Sequence, residues 1–146
     1  MTSAFLIAGG QNMNATKEIT VVAKDRIGLL ADVSETLAKA GINIDSVSVD
    51  SSARDSIIRL VVSDPAKSKK VLEAVGFKVM DTDILVVGIP DKPGELAKIS
   101  RLMADHKINI DSMLVINKEE NGSILVAMKA SDYPSARKIL RERKYL

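Results

Sequence analysis

One stretch of this chain occurs twice. Asp25–Val33 reads DRIGLLADV, and 66 positions later Asp91–Ile99 reads DKPGELAKI. Aligned without a gap, residues 25–49 and 91–115 agree at twelve of 25 positions, including Asp25, Gly28, Leu30, the run Ile42–Ser46 and Val49. Chance would give about one or two, so the chain is an internal duplication and its fold must be one small unit built twice. Units of this size bury a limited share of their surface, so they are expected to pack on each other or on another chain. The repeat divides the 146 residues into an N-terminal arm (1–16), a first module (17–80) and a second module (81–146).

The pattern within each copy sets the fold class. Lys17–Lys24 is rich in β-branched residues and ends at a turn signal, Asp25–Gly28. A helix is expected over Leu29–Ala40, with Leu30, Val33 and Leu37 inward and Gly41 as its stop. Ile42–Asp50 follows as a strand whose apolar parity changes midway. One extra residue near Asp45-Ser46 accounts for that change. A strand over Ser56–Ser63, a short helix over Ala66–Val75 and a brief strand over Phe77–Met80 complete β-α-β-β-α-β. The second copy is expected to run as follows: strand Ile84–Ile89, helix Glu95–His106 with Leu96, Ile99 and Met103 inward, strand Ile108–Ile116, hairpin Asn121-Gly122, and strand Ser123–Ala130. A helix capped by Ser131 or Asp132 ends it, and the fourth strand is cut short. This order makes an α+β chain of two ferredoxin-like modules, antiparallel sheets with both helices on one face, packed side by side or across a dimer. Val22, Ile57, Val61, Val86 and Leu125 lie on the other sheet face. Either part of that face is covered, by a partner sheet or another subunit, or these are scattered surface β-branched residues.

Composition narrows the functional classes. The formal net charge of +2 gives no reason to expect nucleic acid or an anionic membrane as partner. The chain has no cysteine, which excludes disulfide and thiolate chemistry and is compatible with a cytoplasmic location. No apolar run approaches the length of a membrane span. The N-terminus has no basic residue before its short apolar run, so no signal peptide is expected. The single histidine, His106, sits at the end of a polar helix face. With no metal-ligand cluster and no phosphate-binding glycine motif, the inventory argues against an enzyme and for no cofactor. The four aromatics, Phe5, Phe77, Tyr133 and Tyr145, avoid the central strands, unlike the base-stacking residues of RNA-binding sheets. The basic C-terminal helix reads as a solvated face.

The loops offer binding chemistry instead. Gly28 and Gly94 each stand where a strand turns into a helix, so a ligand can approach the backbone and unpaired helical N–H groups can receive a carboxylate. Asp25 and Asp91 can cap those N–H groups or take an ammonium. Fifteen residues after each glycine come Asn43 and Asn109, each between apolar residues: helix-end caps, or polar fixing groups in an apolar cleft.

On these features the chain resembles the ACT domain, a small regulatory module that binds amino acids. DKPGELAKISRLMADHKINIDSM matches its loop, helix and following segment closely, and DRIGLLADVSETLAKAGINIDSV nearly as well. The resemblance covers residues 17–146 and is nearest to small stand-alone tandem ACT proteins without a catalytic domain. It implies a non-catalytic regulator that binds an amino acid and modulates a partner enzyme of amino-acid metabolism, as a homodimer or larger homo-oligomer. The alternative is a purely structural dimerisation or regulatory subunit without a ligand. In serine-sensing members a loop Asn and a His two residues before it touch the ligand. Here Asp25 and Asp91 replace the Asn, and Ala23 and Ile89 replace the His, so an amino acid is implied without serine being implied. The implied site residues are Asp25, Ile27, Gly28, Leu29, Asn43 and Ile44 in the first module, and Asp91, Pro93, Gly94, Glu95, Asn109 and Ile110 in the second. Each loop is expected to pair with the other module's asparagine, and the two sites differ because Leu29 aligns with Glu95 and Ile27 with Pro93.

Overall fold

A computed structural model describes residues 15–146. The N-terminal arm read over residues 1–16 lies outside it except for Ala15 and Thr16, which already belong to the first strand. Ten elements follow in order. They are β1 (Ala15–Lys24), α1 (Leu29–Lys39), β2 (Ile44–Ser51), β3 (Asp55–Val62), α2 (Pro65–Ala74), β4 (Lys78–Pro90), α3 (Glu95–Asp105), β5 (Ile110–Lys118), β6 (Ser123–Ala130) and α4 (Tyr133–Glu142). The described chain divides into two compact units, Lys17–Thr82 and Asp83–Leu146, Ala15 and Thr16 being grouped with the latter. The β-α-β-β-α-β succession thus runs twice. The strands read over Phe77–Met80 and Ile84–Ile89 belong, from Lys78 on, to the single strand β4; no glycine or proline stands between Met80 and Ile84 to break it. Lys144–Leu146 carries no strand, as the shortened repeat anticipates.

Each unit has its own core between one sheet face and two helices. In the first, β3 pairs antiparallel with both β1 and β2. Ile19, Val21, Ile58, Leu60 and Val62 from the strands meet Leu29, Val33 and Leu37 of α1 and Leu72 of α2. In the second, β6 pairs antiparallel with β4 and β5. Leu85, Val87, Ile89, Val126 and Met128 meet Ile99 and Met103 of α3 and Ala136 and Leu140 of α4. Burying each large aliphatic side chain contributes roughly 1.5–3 kcal/mol. On the opposite face Val61, Val86 and Leu125 are buried, while Val22 and Ile57 are half-buried.

The helix stripes differ from expectation by one position. Leu29, Val33 and Leu37 face the core, while Leu30 is 41% exposed; Ile99 and Met103 are buried, while Leu96 is 51% exposed. The core face runs i, i+4, i+8 from the first helical residue. That leaves Leu30 and Leu96 on the flank beside the preceding loop.

Local chemistry sets the ends. Asp64 and Asp132 cap α2 and α4, accepting from the Lys67 N–H at 3.0 Å and the Ser135 N–H at 3.1 Å. A proline in the first turn of each helix costs no intrahelical bond. α1 ends with Gly41 N–H donating to the Ala38 carbonyl and Ile42 N–H to the Leu37 carbonyl, and α3 repeats this with Lys107 and Ile108. The left-handed position is filled by Gly41 (φ 72) in the first module but by Lys107 (φ 58) in the second. The parity change predicts a bulge, and the ladders shift register between Ile44 and Ser46 and between Ile110 and Ser112.

Candidate functional site

The two loops have the same backbone. Gly28 (φ 87, ψ 0) and Gly94 (φ 89, ψ −15) are the N-cap residues of α1 and α3, in the left-handed region that a side chain resists, and no side chain caps either helix. The capping role open to Asp25 and Asp91 is therefore not used. Asp25 N–H donates to the Arg54 carbonyl and Asp91 N–H to the Gly122 carbonyl, both at 2.9 Å. These bonds tie each loop to the hairpin beside it. The first N–H of each helix, of Leu29 and of Glu95, donates back to the Arg26 and Lys92 carbonyls at 3.3 Å; the next ones have no intrahelical acceptor and point out with the positive end of the helix dipole.

Around Asp25 the first module has an open hollow of about 340 Å³. The Asp25 carboxylate lies on its polar side. Ser56 Oγ donates to Asp25 Oδ1 at 2.8 Å, Ser51 Oγ donates to the same oxygen at 3.4 Å, and the two hydroxyls are 2.8 Å apart. Ser56 is only 1% exposed. Gly28, Leu29 and the exposed side chains of Leu30 and Val49 also line the hollow. Arg26 stands at its mouth, held by an ion pair with Asp32. Ile27, counted among the site residues, points wholly into solvent.

Asn43 and Asn109 are set alike. Asn43 N–H donates to Ser63 Oγ and Asn109 N–H to Ser131 Oγ, both at 3.0 Å. Their carbonyls accept from the Ser63 and Ser131 N–H groups at 3.0 and 2.9 Å. Each side-chain amide donates to the aspartate two residues on, Asn43 Nδ2 to Asp45 Oδ1 at 2.8 Å and Asn109 Nδ2 to Asp111 Oδ1 at 2.7 Å. With one N–H so engaged, each amide keeps its oxygen as a free acceptor. Asp45 Oδ2 is buried without a partner, and burial raises the Asp45 carboxyl above its usual range, partly offset by the Asn43 hydrogen bond. Ile44 and Ile110 are half-buried.

Loop and asparagine do not meet within a module. They stand at opposite ends of α1 or α3, each of 11 residues, which at about 1.5 Å per residue separates them by roughly 16 Å. An amino acid cannot bridge that span.

The second loop differs in its side chains. Asp91 Oδ2 pairs with Lys118 Nζ at 3.0 Å, Glu95 pairs with Lys98 at 3.0 Å, and Pro93 is exposed. The Glu95 pairing raises the Lys98 ammonium above its usual range. His106, at the end of α3, has Nδ1 2.9 Å from the Leu102 carbonyl and is exposed. Among the described residues no group of His, Cys, Asp and Glu is placed to hold a metal ion, and no helix is long and apolar enough to cross a membrane.

Sequence reasoning missed Ser51, Ser56 and Lys118. Ser56 was legible: its even parity places it on the core face with Ile58, Leu60 and Val62, where a lone hydroxyl needs a partner. Lys118 gave no local signal, since its partner lies 27 residues away.

The ACT domain family is matched twice along the chain, at residues 17–76 and 84–146. An aspartokinase of Corynebacterium efficiens is 37% identical over 84 residues, 56% of this chain and 20% of that protein. The uncharacterized protein MJ0241 of Methanocaldococcus jannaschii is 38% identical over 77 residues, 51% of this chain and 53% of that one. The chain thus spans a fifth of the one relative and about half of the other. Among solved structures, protein BT0572 of Bacteroides thetaiotaomicron superposes with a TM-score of 0.83 at 29% identity over 90% of both chains. The regulatory subunit of aspartate kinase from Thermus thermophilus superposes with a TM-score of 0.63 at 19% identity, over 86% of this chain and 91% of that one, which shows a shared fold. With both halves matched and the loop, helix and bulged strand built twice, the chain belongs to the ACT domain family.

Proposed function

We propose that this protein is a non-catalytic regulator that binds a free amino acid at its strand-to-helix loops and passes that binding on to an enzyme of amino-acid metabolism. The observation that carries the reading is the hollow at Asp25. It combines a carboxylate held by two hydroxyls, a helix end whose Leu30 and Ala31 N–H groups have no intrahelical acceptor, and an apolar rim of Leu30 and Val49. A zwitterion fits that chemistry: the ammonium meets Asp25, the carboxylate meets the amides after Gly28, and the side chain lies along the rim. Asp91 and Gly94 are the corresponding groups of the second loop.

The roughly 16 Å between loop and asparagine within a module means that Asn43 or Asn109 completes a site only from another module. Ligand then bridges two modules and favours the packing in which they face each other, which is how a partner enzyme reads it. The resemblance to an aspartokinase and to an aspartate kinase regulatory subunit supports a biosynthetic enzyme as that partner. Homo-oligomerisation in the cytoplasm completes the reading.

Sedimentation of the full chain with and without a mixture of the common L-amino acids tests it. The mixture is expected to shift the assembly state, and Asn43→Ala with Asn109→Ala is expected to abolish the shift. Assembly that ignores the mixture, but changes in the double variant, favours a structural subunit without a ligand.

A further inference from the structure

The two loops share a backbone but not an occupant. The Asp25 N–H bond to Arg54 and the Asp91 N–H bond to Gly122 put the two hairpins in correspondence. Two residues beyond those carbonyls stand Ser56 and Ile124, and their strand partners are Ser51 and Lys118. The hydroxyl pair of the first module is therefore replaced by a lysine and an isoleucine in the second. Opposite Ser56 lies Ala23, and opposite Ile124 lies Ile89, so the space left by small residues at the first loop is filled by aliphatic ones at the second.

Building on the amino-acid reading, we infer that Lys118 is a tethered stand-in for the ligand's ammonium, so that the second loop is self-occupied and only the Asp25 loop takes free ligand at low concentration. Lys118 Nζ sits 3.0 Å from Asp91 Oδ2, where an incoming ammonium would seek its carboxylate. An incoming ligand must displace that group and then lie beside its like charge. The pair is largely exposed, so displacing it alone weakens binding by up to about five-fold. Loss of the buried hydroxyl adds a further factor of about two to ten. Together the Asp25 loop should bind about three- to fifty-fold more tightly than the Asp91 loop. The side-chain difference sets which of the two duplicated sites senses, while both keep the fold.

The amide resonances of Gly28 and Gly94 report on the two loops separately. In the full-length protein, titrated with an equimolar mixture of the common L-amino acids, Gly28 is expected to shift first and Gly94 at concentrations about three- to fifty-fold higher. In Lys118→Ala, a surface change that leaves the cores intact, the Gly94 midpoint should fall, by up to about five-fold, while the Gly28 midpoint stays in place. Equal midpoints in the native chain, or a Gly94 midpoint unmoved by Lys118→Ala, overturn the inference while leaving amino-acid binding standing. Silence of both glycines up to solubility limits removes the binding reading and this inference with it.

Discussion

Replacing Gly28 by alanine tests the loop on two scales at once. Gly28 has φ 87, and a Cβ built there meets only Arg26 Nη1, at 3.8 Å. Sterics therefore contribute little, and the cost is the left-handed backbone, about 1–2 kcal/mol for an L-residue. Alanine also restricts the unfolded chain, which returns about 0.4–1 kcal/mol. The net loss is about 1 kcal/mol, or roughly 4–8 °C in Tm for a module of this size that unfolds alone. Gly41 is the control: φ 72, nothing within 4 Å of its Cβ, and a place at the far end of α1. Thermal melts should show Gly28→Ala and Gly41→Ala equally destabilised. Titration with the amino-acid mixture should show binding weakened at least about ten-fold only in Gly28→Ala, where the new methyl stands between ligand and backbone. Equal binding by the two variants refutes the close backbone approach. A Gly28→Ala protein as stable as the native one refutes the conformational argument.

Other residues allow sharper checks. Lys107 holds φ 58 where the first module has Gly41, so Lys107→Gly should raise stability by about 0.5–1 kcal/mol in urea unfolding; a loss would mean that its side chain makes a contact worth more than the strain. Asp64→Ala removes the cap of α2 and should cost about 1 kcal/mol, with Asp64→Asn largely restoring it. Asp45 has a raised carboxyl, so the folded state binds its proton more tightly than the unfolded chain. Its contribution to stability therefore falls as pH rises from about 3.8 through the raised value, and stays unfavourable at neutral pH. Asp45→Asn, which keeps the acceptor for Asn43, should flatten that part of the stability–pH curve; an unchanged slope there would show that the orphaned oxygen is hydrated.

Much of the fold was legible because repetition and period report on burial directly. The bulge after Ile44 followed from a parity change, and the helix stop at Gly41 from its glycine. Leu30 and Leu96 were misplaced because periodicity fixes spacing better than phase, and the first turn of a helix has no preceding turn to anchor it. Asp25 and Gly28 were legible as a loop, but the hydrogen bonds that hold the Asp25 carboxylate come from Ser51 and Ser56, brought in by a hairpin about 30 residues away. The unequal partners of Asp25 and Asp91 were hidden for the same reason. The aligned stretch ends at residue 49, before the hairpin where Ser51 and Lys118 part company.

The central claim is that the Asp25 loop binds a free amino acid. Calorimetric titration of the full chain with each common L-amino acid in turn, to millimolar concentration, addresses it most directly. The account predicts saturable heat with at least one of them, lost in Asp25→Ala. No saturable heat with any of them, or heat that persists undiminished in Asp25→Ala, would contradict it.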